Sequence, residues 1–247
     1  MLRIRPEAMS TREDFLGRIK KALGRRPGAP ASARTPDSMF PPLEGVLDGI
    51  PADQIINKFE TELQKLGGIT HRAGSLDELE AILKEILQDR QARGAVCTRN
   101  PILREVGLPE KLVGWGISAA LWPGSGDGSN TFKDKAFSAE VGISGVEFVL
   151  AESGSLVLTS RTEGSQLASL APPIHIALYR RSQARASLEE VLERLPVPTD
   201  PSQSVPGRSV IFITGPSRTA DIEQILIRGV HGPKFVHAIL VEDPCFG

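Results

Sequence analysis

Between Ser209 and Pro233 the chain reads as strand, loop, helix and loop, and a further strand follows. The run Val210-Ile211-Phe212-Ile213 has the length and β-branched content of a buried strand. It stops at Thr214-Gly215-Pro216-Ser217-Arg218, where glycine and proline break a strand and small hydroxyls bond nearby backbone. From Thr219 onward, Ile222, Ile225 and Leu226 recur at the spacing of one buried helix face, which predicts a helix ended by Gly229. Asp221 and Glu223 stand in its first turn, where the helix dipole favours negative charge. Gly232-Pro233 then turns the chain into the apolar run Phe235 to Val241. In an α/β sheet, ligands bind beyond the carboxyl ends of strands. The polar groups at this loop, Thr214, Ser217, Arg218, Asp221 and His231, are therefore the first site candidates.

The same alternation runs upstream. Ile55, Ile56, Phe59, Leu63 and Leu66 form a helical stripe stopped by Gly67-Gly68, and Ile69 to His71 is a brief strand. Ser75 to Glu78 is a capping box that opens a helix to about Arg90, with Leu79, Ile82, Leu83, Ile86 and Leu87 inward. Gly94 to Thr98 is the next strand. Leu112 to Trp115 and Ile117 to Leu121 fit a strand, a short helix, or one of each. The glycine-rich Pro123 to Asn130 lacks the Gly-Lys-Ser/Thr end of a phosphate loop and reads as a linker. Thr131 to Glu140 reads as helix and Ile174 to Tyr179 as strand. Ser187 to Leu195 reads as a helix with Leu188, Val191 and Leu192 inward, and Leu195 to Pro206 as a proline-rich loop. Helices alternating with short apolar strands predict an α/β fold: a parallel-rich sheet with helices on both faces.

Residues 1–50 differ in kind. Ser10 to Leu23 reads as a helix with Phe15, Leu16, Ile19 and Leu23 as its stripe, and Arg25 to Pro42 is a Pro/Ala/Ser-rich linker with no period. This arm either packs on its own domain or docks on a neighbouring subunit to make a homo-oligomer; residues 51–247 form the main domain. The net charge of -1 gives no basic surplus for nucleic acid. No apolar run approaches the ~20 residues that span a bilayer, and no signal core follows the N-terminus, so a soluble cytoplasmic protein is expected. Two cysteines, Cys97 and Cys245, are too few for a cluster held by four thiolates, so any iron–sulfur chemistry is expected on another chain.

Two apolar runs, Gly145 to Ala151 and Ser155 to Thr159, meet at Glu152-Ser153-Gly154, as in a hairpin or a sharply kinked strand pair. Glu152 interrupts runs that should both be buried. A partly desolvated carboxylate suits acid–base or nucleophilic work, while a solvated turn residue is the plain alternative. Glu147 lies within the strand and reads as facing solvent. Arg218 suits an anion at the helix start, or an i, i+3 pair with Asp221. The four histidines show no helical metal spacing, so no metal site is expected. His231, beside the candidate loop, is the one suited to a general base, and His237 reads as a core or edge residue. No Gly-x-Ser-x-Gly elbow is present, and Cys97 sits in an apolar strand that disfavours its thiolate.

Gly142 to Leu158, Pro173 to Ala177, Thr214 to Glu223 and Gly229-Val230-His231-Gly232-Pro233, taken together, resemble the lactate-utilisation protein C family, which carries the LUD domain. The likeness covers about Glu140 to the end. It implies a fold like that of the sugar-phosphate isomerase and CoA-transferase superfamily. It also implies a role in oxidising L-lactate to pyruvate beside partner proteins that carry iron–sulfur clusters. The turn Glu152-Ser153-Gly154 looks like the glutamate turn of CoA transferases, with Ser153 in place of the usual asparagine. The resemblance carries over the position of that turn and not an activity; in a cleft shared with the Arg218 loop, Glu152 or His231 is expected to move a proton. Ser153, Gly154, Thr214, Gly215, Ser217, Arg218 and Asp221 are expected to contact a small carboxylate or a phosphate-bearing ligand. The alternative is a free-standing enzyme acting on a CoA-linked or phosphorylated metabolite, with Glu152 as nucleophile or base.

Overall fold

The computed structural model describes residues 49–122, 129–195, 209–220, 226–229 and 231–246, together with positions 17, 18 and 21. The chain divides into two compact units, Met1–Asp48 and Gly49–Gly247. In the first, Gly17, Arg18 and Lys21 are helical and exposed. The linker expected over Arg25 to Pro42 lies outside the described residues.

In the second unit α1 (Ile55–Lys65) leads to β1 (Ile69–Ala73), and α2 (Leu76–Asp89) to β2 (Gly94–Cys97). Helices α3 (Pro101–Glu105) and α4 (Leu108–Gly114) lead to β3 (Ser118–Leu121), and α5 (Ser129–Ser138) to β4 (Val141–Ser144). Next come β5 (Phe148–Leu150), β6 (Ser155–Thr159), α6 (Ser160–Glu163), α7 (Leu167–Leu170), β7 (Ile174–Tyr179), β8 (Ala184–Arg185) and α8 (Leu188–Arg194). The chain closes with β9 (Val210–Ile213), β10 (Arg218–Ala220), β11 (Leu226–Arg228) and β12 (Phe235–Val241). Leu112 to Leu121 thus holds the end of one helix, α4, and one strand, β3. Local signals act as expected at α2: Ser75 Oγ accepts the Glu78 amide, and the Glu78 carboxylate reaches back to the Gly74 amide at 2.7 Å.

Six strands form one sheet in the order β1-β12-β7-β4-β2-β3, every pair parallel. Parallel strands buried on both faces read as continuous apolar runs. Accordingly Ile174, Ile176 and Leu178 of β7 face Leu79, Leu83, Leu103 and Leu112 from α2, α3 and α4. Ala177 and Tyr179 face Phe59 and Leu63 of α1 on the other side. On that side Val96 meets Phe132 and Ala136 of α5. A second sheet, β8-β5-β6-β9, lies over the α1 side through Val149, Leu156 and Leu158. Its centre is the β5–β6 hairpin expected at Glu152.

Two expectations are corrected. Thr219-Ala220 and Leu226 are not helical: Arg218–Ala220 and Leu226–Arg228 pair antiparallel, and residues 221–225 lie outside the described set. The Gly229 amide bonds the Ser217 carbonyl at 3.0 Å, closing a two-stranded ribbon. Helical periodicity does not weigh such non-local pairing, for which Thr219 and Ile227 are well suited. In α8 only Val191 is buried, while Leu188 and Leu192 are 40% and 52% exposed. Two turns laid over Phe148, Leu150 and Val157 cover one residue's width of that face.

Candidate functional site

The last turn of α1 is where two loops of the second sheet dock. Gly154 has φ +65°, and a Cβ there would overlap the Leu63 amide nitrogen and lie 2.6 Å from the Glu62 carbonyl carbon. Only glycine fits, in conformation and in space. A Cβ at Gly215 would lie 3.3 Å from both Cβ and O of Leu66. The Arg218 guanidinium donates to the Leu66 carbonyl, one of the acceptors a helix end leaves without an intrahelical partner.

A row of hydroxyls joins the two loops. Ser153 Oγ lies 2.8 Å from Ser155 Oγ, and Ser155 Oγ 2.7 Å from Thr214 Oγ1. The register Leu156↔Ile213 sets Ser155 beside Thr214. Ser155 is buried and Thr214 exposed. Three hydroxyls carry three protons, and two bonds use two of them, so one O–H is left to donate outward. Each bond polarises the next.

Ser153, Gly154, Thr214, Gly215 and Arg218 are thereby brought to one corner. Ser217 ties the ribbon to the start of β12, its amide donating to the Pro233 carbonyl at 2.9 Å. His231 is exposed nearby in sequence, and Asp221 lies outside the described residues. Glu152, half-buried, turns toward α8: its Oε1 accepts the Leu188 amide at 2.8 Å. Ser187 Oγ accepts the Glu190 amide of the same helix. Among the described residues no hydrogen bond or ion pair joins Glu152 to Arg218, and none engages Glu152 Oε2.

Sequence reasoning passed over Glu163. Strand β2 leads toward β3 and β4 toward β7, so the strand order reverses between β2 and β4, the kind of point where α/β folds bind ligands. Thr98 and Asn100 follow β2, and Gly145 follows β4. Glu163, fully buried, accepts there from Thr98 Oγ1 (2.7 Å), Asn100 Nδ2 and the Gly145 amide (3.1 Å). The signal was local: polar Thr98 and Asn100 directly after an apolar strand, and Glu163 just before Gly164. Glu147 also departs from expectation: its side chain is 12% exposed, bonded to Thr159 and paired with Arg161.

The sheet's histidines are neutral core groups. His175 bonds Ser144 at 2.8 Å, and burial pushes its pKa down to about 3. His237 stacks on His71 with ring nitrogens 3.1 Å apart, and burial, then His71 and Arg90, push it down to about 4. Burial pushes the Cys97 thiol up to about 12, so it is no nucleophile. Among the described residues no group of three or more His, Cys, Asp or Glu side chains is placed to hold a metal ion, and no helix is long and apolar enough to cross a membrane. A groove of about 460 Å³ opens at the amino ends of β2 and β3, lined by Lys84, Arg93 and Trp115 among others. It lies at the opposite end of the strands from Glu163.

The LUD domain family matches residues 56–241, a span that includes the α1 corner. Lactate utilization protein C of Halalkalibacterium halodurans is 30% identical over 232 residues, covering 94% of this chain and 98% of that protein. The proteins of that name from Bacillus subtilis and Geobacillus kaustophilus are 30% and 32% identical, covering 95% and 96% of this chain and 98% of each relative. In fold, the chain is similar to a crystal structure of a DUF162 family protein from Deinococcus radiodurans, with TM-score 0.51 and 19% identity over 78% of this chain and 99% of that one. The chain belongs to the LUD domain family, among relatives named for lactate utilisation.

Proposed function

We propose that this protein serves lactate utilisation as a cluster-free subunit of an iron–sulfur complex that oxidises L-lactate to pyruvate. The α1 corner receives a small carboxylate. The relatives' names support the process. The single observation that carries the ligand class is the Ser153–Ser155–Thr214 hydroxyl row beside Arg218. An outward O–H and a guanidinium together supply the donor and the charge that a carboxylate requires. L-lactate loses two protons and two electrons in becoming pyruvate. Clusters on partner chains would take the electrons, since Cys97 and Cys245 are too few to ligate one here. Glu152, whose Oε2 carries no hydrogen bond among the described residues, and exposed His231 are the groups of this chain suited to take a proton.

Deleting the gene and following L-lactate consumption tests the reading. Consumption is expected to stop and to return with the wild-type gene. Tagged protein from lactate-grown cells is expected to bring down iron-containing partners. Undiminished consumption in a strain with no second copy refutes the role.

A further inference from the structure

Glu163 ends a row of oxygens that begins at Glu147. Glu147 Oε2 lies 2.9 Å from Thr159 Oγ1, Thr159 Oγ1 lies 3.2 Å from Thr162 Oγ1, and Thr162 Oγ1 lies 3.1 Å from Glu163 Oε1. Thr159 closes β6 and caps α6, its Oγ1 accepting the Thr162 amide, which sets the two threonine hydroxyls side by side. Three gaps separate the two carboxyls, and each needs one proton to become a hydrogen bond. The two threonines supply two. With both carboxyls ionised, two oxygens face each other at one gap with no proton between them. One added proton completes the row.

The surroundings decide which carboxyl keeps it. Glu147 is paired with the Arg161 guanidinium, whose positive charge lies against it. Among the described residues no cation touches the Glu163 carboxyl, which is 0% exposed. Facing it are Thr98 and Asn100 after β2, the Gly145 amide after β4, and Thr162 on α6. Arg99 bonds the Glu163 backbone carbonyl through its amide, while its guanidinium reaches the Arg161 carbonyl. Trp122 packs against Gly164. Burial raises the Glu163 pKa, outweighing the lowering by Thr98, Asn100, Thr162 and the Gly145 amide. A neutral acid keeps every partner: Oε2 accepts from Thr98 and Gly145, while Oε1 accepts from Asn100 and donates its proton to Thr162.

We propose that Glu147 and Glu163 share one proton along the Thr159–Thr162 row, held on Glu163 at neutral pH, making Glu163 a proton-holding site at the joint of β2 and β4. The site is separate from the α1 corner and does not rest on the carboxylate reading there. Removing the proton leaves a buried charge with no cation beside it among the described residues and loosens the joint. With the folded pKa above the unfolded one, this group's stabilisation is complete below the unfolded carboxyl pKa and is lost as pH rises through the folded value.

The test is a carbon-13 NMR titration of the full chain, labelled at its glutamate side-chain carboxyls. One carboxyl is expected in the neutral-acid range at neutral pH. It vanishes in Glu163→Gln and titrates about one pH unit lower in Glu147→Gln, which removes a facing negative charge. Should Glu163→Gln fail to fold, Thr162→Val, which cuts the row, shifts the same titration and Thr162→Ser does not. Wild-type protein with every glutamate carboxyl ionised at neutral pH overturns the proposal. So does a neutral carboxyl indifferent to both Glu147→Gln and Thr162→Val.

Discussion

Gly154→Ala tests whether the α1 corner is built as described. The residue holds φ +65°, where a side chain costs about 1–2 kcal/mol. Its new Cβ would also meet backbone: the Leu63 amide, the Glu62 carbonyl carbon at 2.6 Å and Leu63 Cα at 2.8 Å. Backbone in a packed helix cannot swing aside as a side chain can, and overpacking of this kind costs about 1–3 kcal/mol. The sum is roughly 2–5 kcal/mol, and at about 2–4 °C per kcal/mol for a domain of this size the melting point falls by roughly 10 °C. Gly116→Ala is the control. Its φ is +77°, but nothing lies within 4 Å of the new Cβ, so only the backbone cost applies. Thermal unfolding followed by circular dichroism compares the two. If Gly154→Ala melts no lower than Gly116→Ala, the hairpin does not rest on the α1 backbone and the corner is wrongly assembled.

Glu152→Gln keeps an oxygen for the Leu188 amide and removes the charge, so unfolding free energy changes by less than about 1 kcal/mol. L-lactate consumption in a complemented deletion strain is expected to drop, and a normal rate removes Glu152 from the chemistry. Burial depresses His175 to about 3 and His237 to about 4, so their stabilisation is present above the unfolded histidine pKa. It is lost as pH falls through the window from about 6.5 toward 4, at up to roughly 1.4 kcal/mol per pH unit for each histidine. Urea unfolding across that range measures the loss, and a flat profile contradicts neutral burial. Cys97, fully buried with its pKa at about 12, is expected to resist alkylation in the native protein and to react once urea unfolds it. Native-state labelling there, resolved by mass spectrometry, contradicts the packing of β2.

Much of the main sheet is legible in the chain because its strands are buried on both faces. Runs such as Ile174 to Tyr179 and Phe235 to Val241 carry that burial in plain view. Ser75 and Glu78 act within one helical turn, and the Glu152-Ser153-Gly154 turn lies between two runs that pair directly. What escaped depends on partners far along the chain. The ribbon at Arg218 forms by pairing with Arg228, which helical spacing cannot register. Glu163 draws Thr98 and Asn100 from 65 and 63 positions away. Thr214 and Arg218 were visible as polar loop residues. Their meeting with Ser153 and Ser155 on the end of α1 needed the β6–β9 register.

The most direct measurement is L-lactate consumption by a deletion strain carrying Thr214→Val with Arg218→Lys. This pair removes the exposed end of the hydroxyl row and the planar guanidinium. Charge-assisted hydrogen bonds contribute about 1.5–3 kcal/mol, so the account predicts consumption at least about tenfold slower at equal levels of folded protein. Consumption at the wild-type rate would show that the corner on α1 is not where this protein acts.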